Sequence, residues 1–195
     1  DRWAAHLQQL FMESNGKHVS KSGEFIDYPT CPVLWGEPGT ESQHSFFQCI
    51  HQGTDTIPIE FVGVEKSQLD DDAIVQGTTN QEKLLSNLFA QAIGLAKGQK
   101  GSDNNTNFKG NRPSKMILAK ELNAYTLGNL LAYYEHVAAF QGFLWGVNSF
   151  DQEGVQLGKV LANDIIDYYH SKRDKSFKAS KDTSLAEALI NHFKL

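Results

Sequence analysis

CPVLWGEPGTESQHSFFQCIHQGTDTIPIEFVGV, residues 31–64, holds a short apolar run, a turn, a helical stripe and a second apolar run. Cys31 to Trp35 is too short for a helix and ends in Gly36-Glu37-Pro38-Gly39, so it reads as a buried strand closed by turn formers. Thr40 and Gln43 then stand three apart ahead of Phe46, Phe47 and Ile50, a capping-box arrangement that predicts a helix over 42–52. TIPIEFVGV, residues 56–64, is the next strand. Upstream, Trp3, Leu7, Leu10 and Phe11 form a helical stripe over 2–13, stopped by Asn15-Gly16. Downstream, the spacing predicts a helix over 81–97 ending near Gly98, a strand over 115–119, a helix over 123–140, a buried strand at 142–147 and a helix over 153–170. A basic linker over 172–181 then leads to a last helix at 185–193. Strands that alternate with helices and are apolar throughout imply an α/β fold with a parallel sheet covered by helices on both faces.

Composition narrows the class further. The chain has 195 residues, the size of one compact core, and its 16 Gly and 5 Pro are close to average usage, which excludes disordered and collagen-like classes. Eighteen Lys and Arg against 23 Asp and Glu give a net charge of −5, which argues against nucleic acid as a partner. The longest apolar region, about 122–147, is interrupted by polar residues such as Glu135 and Gln141, so no membrane span is expected. Cys31 and Cys49 are the two cysteines, and a chain of this length builds its core without them, which fits a reducing cytoplasm. The chain opens at Asp1 without Met and enters a helix at once, as a piece of something longer would.

In parallel α/β folds ligands sit where strands run into helices, and polar segments there are the candidates for a site. LQQLFMESNGK (7–17), LWGEPGTESQHSFFQCIHQGT (34–54), LLSNLFAQ (84–91), GNRPS (110–114), YEHVAAFQG (134–142) and FDQEGVQLGK (150–159) together resemble the carboxy-terminal half of the glucose-6-phosphate isomerase family. The resemblance runs through most of the chain in the family's order. It implies a three-layer sugar isomerase (SIS) fold, with residues 1–171 as the carboxy-terminal SIS domain and 172–195 as linker and terminal helix. It also implies reversible conversion of glucose 6-phosphate to fructose 6-phosphate without a metal or organic cofactor, in a cytoplasmic homodimer.

By position, Glu13 matches the family's catalytic base, Gln9 a glutamine one helical turn earlier, and Lys159 the lysine at the sugar ring. His44 matches the histidine that each subunit lends to its partner for ring opening, and Gln152 a further substrate-binding residue. Those types suit the chemistry. Moving a proton between C2 and C1 needs one group that takes it and returns it on the same face, and a carboxylate sheltered from water does both. Ring opening needs an acid and a base, which a histidine and a lysine supply; His44 is expected in the first turn of a helix, where the dipole disfavours imidazolium. Taken one by one, each of these residues reads as an ordinary surface group. The family's enediolate arginine and Ser/Thr phosphate cradle belong to its amino-terminal half, missing here, so the isolated chain is expected to be inactive. Phe11 and Glu153 depart from the common pattern, the paired histidines often found before Gln81 are absent, and the loop from Gly98 to Phe108 is short. His44 and His51 lack a third ligand at metal spacing. The competing expectation is a non-catalytic SIS-type sugar-phosphate-binding or regulatory module.

Overall fold

A computed structural model describes residues 2–69, 71–178 and 183–194. Two strands form its parallel sheet: β1 (Ile59–Val64) and β4 (Ser114–Ala119), paired from Ile59 opposite Ser114 to Val64 opposite Ala119. Between them in sequence come a two-residue antiparallel ribbon, β2 (Ile74–Val75) and β3 (Thr78–Thr79), and the helix α4 (Asn80–Lys97). Paired residues share a face. Phe61, Gly63, Met116 and Leu118 therefore look one way, and a side chain at Gly63 would run into Leu88 of α4 and Leu118. Ile59 and Phe61 pack on this side with Phe47, Ile50 and Leu95. On the opposite face Ile117 joins Leu7, Phe11, Tyr134 and Ala138, which come from the amino-terminal helical segment and from α5 (Ala124–Trp145). The result is three layers, helix, sheet, helix, as alternating apolar elements require.

Polar groups fasten the second interface. Glu60 of β1 accepts from the Tyr134 hydroxyl and, at 2.5 Å, from Lys115 of β4, which also bonds the Tyr133 hydroxyl. Burial, then the bond to Glu60, pushes the Tyr134 hydroxyl well above its ordinary value. Burial pulls Lys115 the other way, but its bonds to Glu60 and Tyr133 outweigh that and raise it.

Three expected elements come out differently. Residues 142–147 are not a strand: α5 continues to Trp145, and Gly146, at φ 64°, turns the chain out of the helix. Val147 N–H donates to the Gly142 carbonyl at 3.1 Å and Gly146 N–H to Phe143 at 3.3 Å, the paired bonds of a glycine-terminated helix. An unbroken apolar run has no period to tell helix from strand, and here the stop signal settled it. Residues 31–35 join no ladder: Pro32 has no N–H, Leu34 packs on the Leu7 cluster, and Trp35 meets Phe46 edge-on, ring centroids 4.4 Å apart. The helix expected over 42–52 forms only as α3 (Phe47–Gln52), preceded by a separate turn α2 (Gly39–Ser42); Ser42 donates its hydroxyl to the Gly39 carbonyl, and residues between the two close tight turns. A capping box forms instead at Thr79 and Glu82, starting α4.

The first helix is also composite: α1 (Trp3–Gln8) passes into a π-helical turn, Gln9–Glu13. Beyond Gly146 the chain crosses residues 147–152 and enters α6 (Glu153–Arg173), on which α7 (Ser184–Phe193) packs through Tyr168, Ala186 and Ile190. Residues 179–181 of the expected linker lie outside the described residues.

Candidate active site

The π-helical turn places Gln9 and Glu13 within reach of each other. Its i→i+5 bonding widens one turn locally, a feature found frequently at functional sites. The Gln9 amide donates to the Glu13 carboxylate at 3.3 Å, so the pair singled out in the sequence is formed. Phe11, between them, points into the core and is buried, while Glu13 is half-buried. That alternation fixes the turn's orientation: the aromatic anchors it against Tyr134, ring centroids 6.2 Å apart, and leaves the carboxylate facing outward.

Immediately after Glu13 the chain is held by Lys17 and by Asn15, which the sequence suggested only as part of a helix stop. Lys17 donates to the carbonyls of Glu13 at 2.8 Å and Ser14 at 3.0 Å, and also to that of Asp151. Asn15, fully buried, donates to the Ala138 carbonyl at 2.7 Å and accepts from the Ser149 hydroxyl at 2.5 Å. A side chain on Gly142 would collide with both Ser149 Oγ and Asn15 Oδ1. A lysine four residues past a glutamate at a helix end was the available signal, since cations there satisfy the last carbonyls. A partner 134 residues away had none.

Gln152 follows Asp151 directly and is exposed at the start of α6. Lys159, farther along α6, is also exposed. His44 is exposed in the tight turn between α2 and α3, its N–H on the Glu41 carbonyl at 3.1 Å, so the expected place in a helix's first turn is not where it sits. Among the described residues no hydrogen bond or ion pair joins Glu13, His44 and Lys159. One groove of 1030 Å³ runs past Lys97, Lys100 and Lys109, and another of 440 Å³ lies on α6 at Ile166 and His170. The described residues contain no cluster of three or more metal-ligating side chains, and no helix long and apolar enough to cross a membrane.

Solved structures share this architecture. A glucose-6-phosphate isomerase from Chlamydia trachomatis superposes with a TM-score of 0.86 at 45% identity, over 98% of this chain and 35% of that one. A hypothetical protein from Thermus thermophilus, TT0462, matches at 0.65 and 26% identity, over 84% of this chain and 38% of that one. The class is thus α/β of the SIS type, a parallel sheet between helices. A family model described as phosphoglucose isomerase matches residues 1–190, and the chain belongs to that family. Among curated relatives, glucose-6-phosphate isomerase of Protochlamydia amoebophila is 53% identical over 98% of this chain and 35% of that protein. That of Chlamydia pneumoniae is 58% identical over 84% of this chain and 31% of that protein. The chain therefore spans about a third of the length of the relatives it matches.

Proposed function

We propose that this chain is the carboxy-terminal part of a glucose-6-phosphate isomerase that interconverts glucose 6-phosphate and fructose 6-phosphate in the cytoplasm, without metal or organic cofactor. The observation that carries the proposal is the Gln9–Glu13 hydrogen bond on a π-helical turn whose end is tied to the loop before Gln152. Glu13 takes the C2 hydrogen of the open-chain aldose as a proton, leaving an enediol(ate), and returns it to C1 as the proton on O2 moves to O1. One carboxylate serves both directions. Gln9 orients the carboxylate, and Gln152 binds the sugar from the loop entering α6. Lys159 and His44 open the ring, His44 acting in the site of the partner subunit of a homodimer. The phosphate cradle and the enediolate arginine come from the amino-terminal half, so the isolated chain is inactive.

The test is to assay this chain with fructose 6-phosphate alone and again with the part of the Protochlamydia amoebophila relative that lies outside the match. Turnover is expected only in the mixture, and full turnover by the chain alone refutes the division of labour. In the complete polypeptide containing this chain, Glu13→Gln should retain sugar-phosphate binding and lower turnover at least ~10²-fold. Unchanged exchange of the C2 hydrogen with solvent would remove Glu13 as the base. Binding without turnover in the unsubstituted complete polypeptide would leave the non-catalytic sugar-phosphate module.

A further inference from the structure

We infer that Lys17 and Asn15 are positioning residues that set the Glu13 carboxylate against the loop carrying Gln152; the inference rests on Glu13 being the base. Lys17 has no carboxylate partner among the described residues; its ammonium serves three main-chain carbonyls. One belongs to Glu13 itself and another to Asp151, the residue before Gln152. A single side chain thus links the backbone of the base to the backbone one residue from a second substrate contact. An ammonium suits this because its three donors diverge, whereas the planar guanidinium of arginine fans its donors in one plane.

Asn15 makes a second link from the same turn. Its amide spans from α5, through the Ala138 carbonyl, to Ser149, and both its polar atoms are used in full burial. The glycine at position 142 is what leaves room for this junction. Two ties from residues two apart, Asn15 and Lys17, to two points of the same loop, Ser149 and Asp151, restrain rotation as well as distance. Proton transfer demands such restraint, since a displacement of about 1 Å costs on the order of 10²-fold in rate.

The experiment compares Lys17→Met, Lys17→Arg, Ser149→Ala and Glu13→Gln in the complete polypeptide, with kcat and KM for fructose 6-phosphate expressed per folded molecule. Lys17→Met should lower kcat by roughly 10- to 100-fold with KM within about twofold, and Lys17→Arg should recover part of the loss. Ser149→Ala, which unhooks Asn15 and leaves the Lys17 link, should lower kcat by a smaller factor, and it carries the test should Lys17→Met not fold. Equal kcat per folded molecule in the foldable variants overturns the inference. A large loss in Glu13→Gln beside unchanged Lys17→Met and Ser149→Ala refutes the positioning role and spares the base, whereas unchanged Glu13→Gln refutes the base itself.

Discussion

Helices α5 and α6 are nearly equal in length, 22 and 21 residues, yet one is built into this chain and the other stands beside it. In α5, Ala138 and Gly142 are buried and Tyr134 bonds to Glu60 on the sheet face that the helix covers, although Phe140, Phe143 and Leu144 toward its end are exposed. In α6, Tyr168 is buried against α7, while Leu157 and Ile166 are 63% and 61% exposed, and Val155, Val160 and Leu161 are exposed too. The two sides of the proposed site divide in the same way. Glu13 and Gln9 are fixed by contacts within the described residues, and Lys159 rides on a helix whose apolar side chains those residues leave open.

Glycine substitutions break this comparison most directly. Gly142→Ala should destabilise the chain by about 1–3 kcal/mol, because the new methyl group displaces Ser149 from Asn15; denaturant unfolding measures it. A change below the noise would mean the junction is slack. Next in size, His44→Ala in the complete polypeptide should cost roughly tenfold more in kcat/KM with closed-ring than with open-chain substrate, about 1.4 kcal/mol. Equal losses on both forms would take His44 out of ring opening.

Tyr134 sharpens the α5 side. Its hydroxyl is raised by burial and by Glu60, so above a pH of about 10 the unfolded phenol ionises while the folded one keeps its proton. The folded state then binds more protons, and stability falls with rising pH by at most about 1.4 kcal/mol per pH unit. Lys115, also raised, adds to the alkaline loss as its ammonium deprotonates. Tyr134→Phe should flatten the decline of the melting temperature between pH 10 and 11 (approximate bounds set by the phenol), and an unchanged slope would place the titration elsewhere. The smallest effect belongs to α6: Gly158→Ala meets nothing within 4 Å and should stabilise the chain by up to ~1 kcal/mol through helix propensity. Lost activity for the same substitution in the complete polypeptide would show that substrate or protein closes on that glycine.

Where local chemistry was decisive, the sequence was readable. Helix α4, with its apolar stripe and Gly98 stop, falls within a residue of its predicted bounds, and β4 likewise. The 142–147 segment misled because uniform apolarity carries no period, and 31–35 because a strand needs a partner that residue type does not supply. Between α2 and α3 the chain closes tight turns, where Ser42 bonds back to its own turn, which residue type alone does not announce. In the site, spacing on one helix made the Gln9–Glu13 pair legible. Ser149 and Asp151 carried no such mark, since their link to the base appears only once α5 has brought the ends of two distant segments together.

The sequence by itself determined the alternation of apolar elements, hence a parallel sheet between helices, and the residue types that can move a proton along a sugar. Those properties are local, written in periods of a few residues and in short motifs. Tertiary structure alone decided the half-buried setting of Glu13, the three-carbonyl grip of Lys17 and the burial of Asn15, because each depends on contacts between residues far apart in sequence.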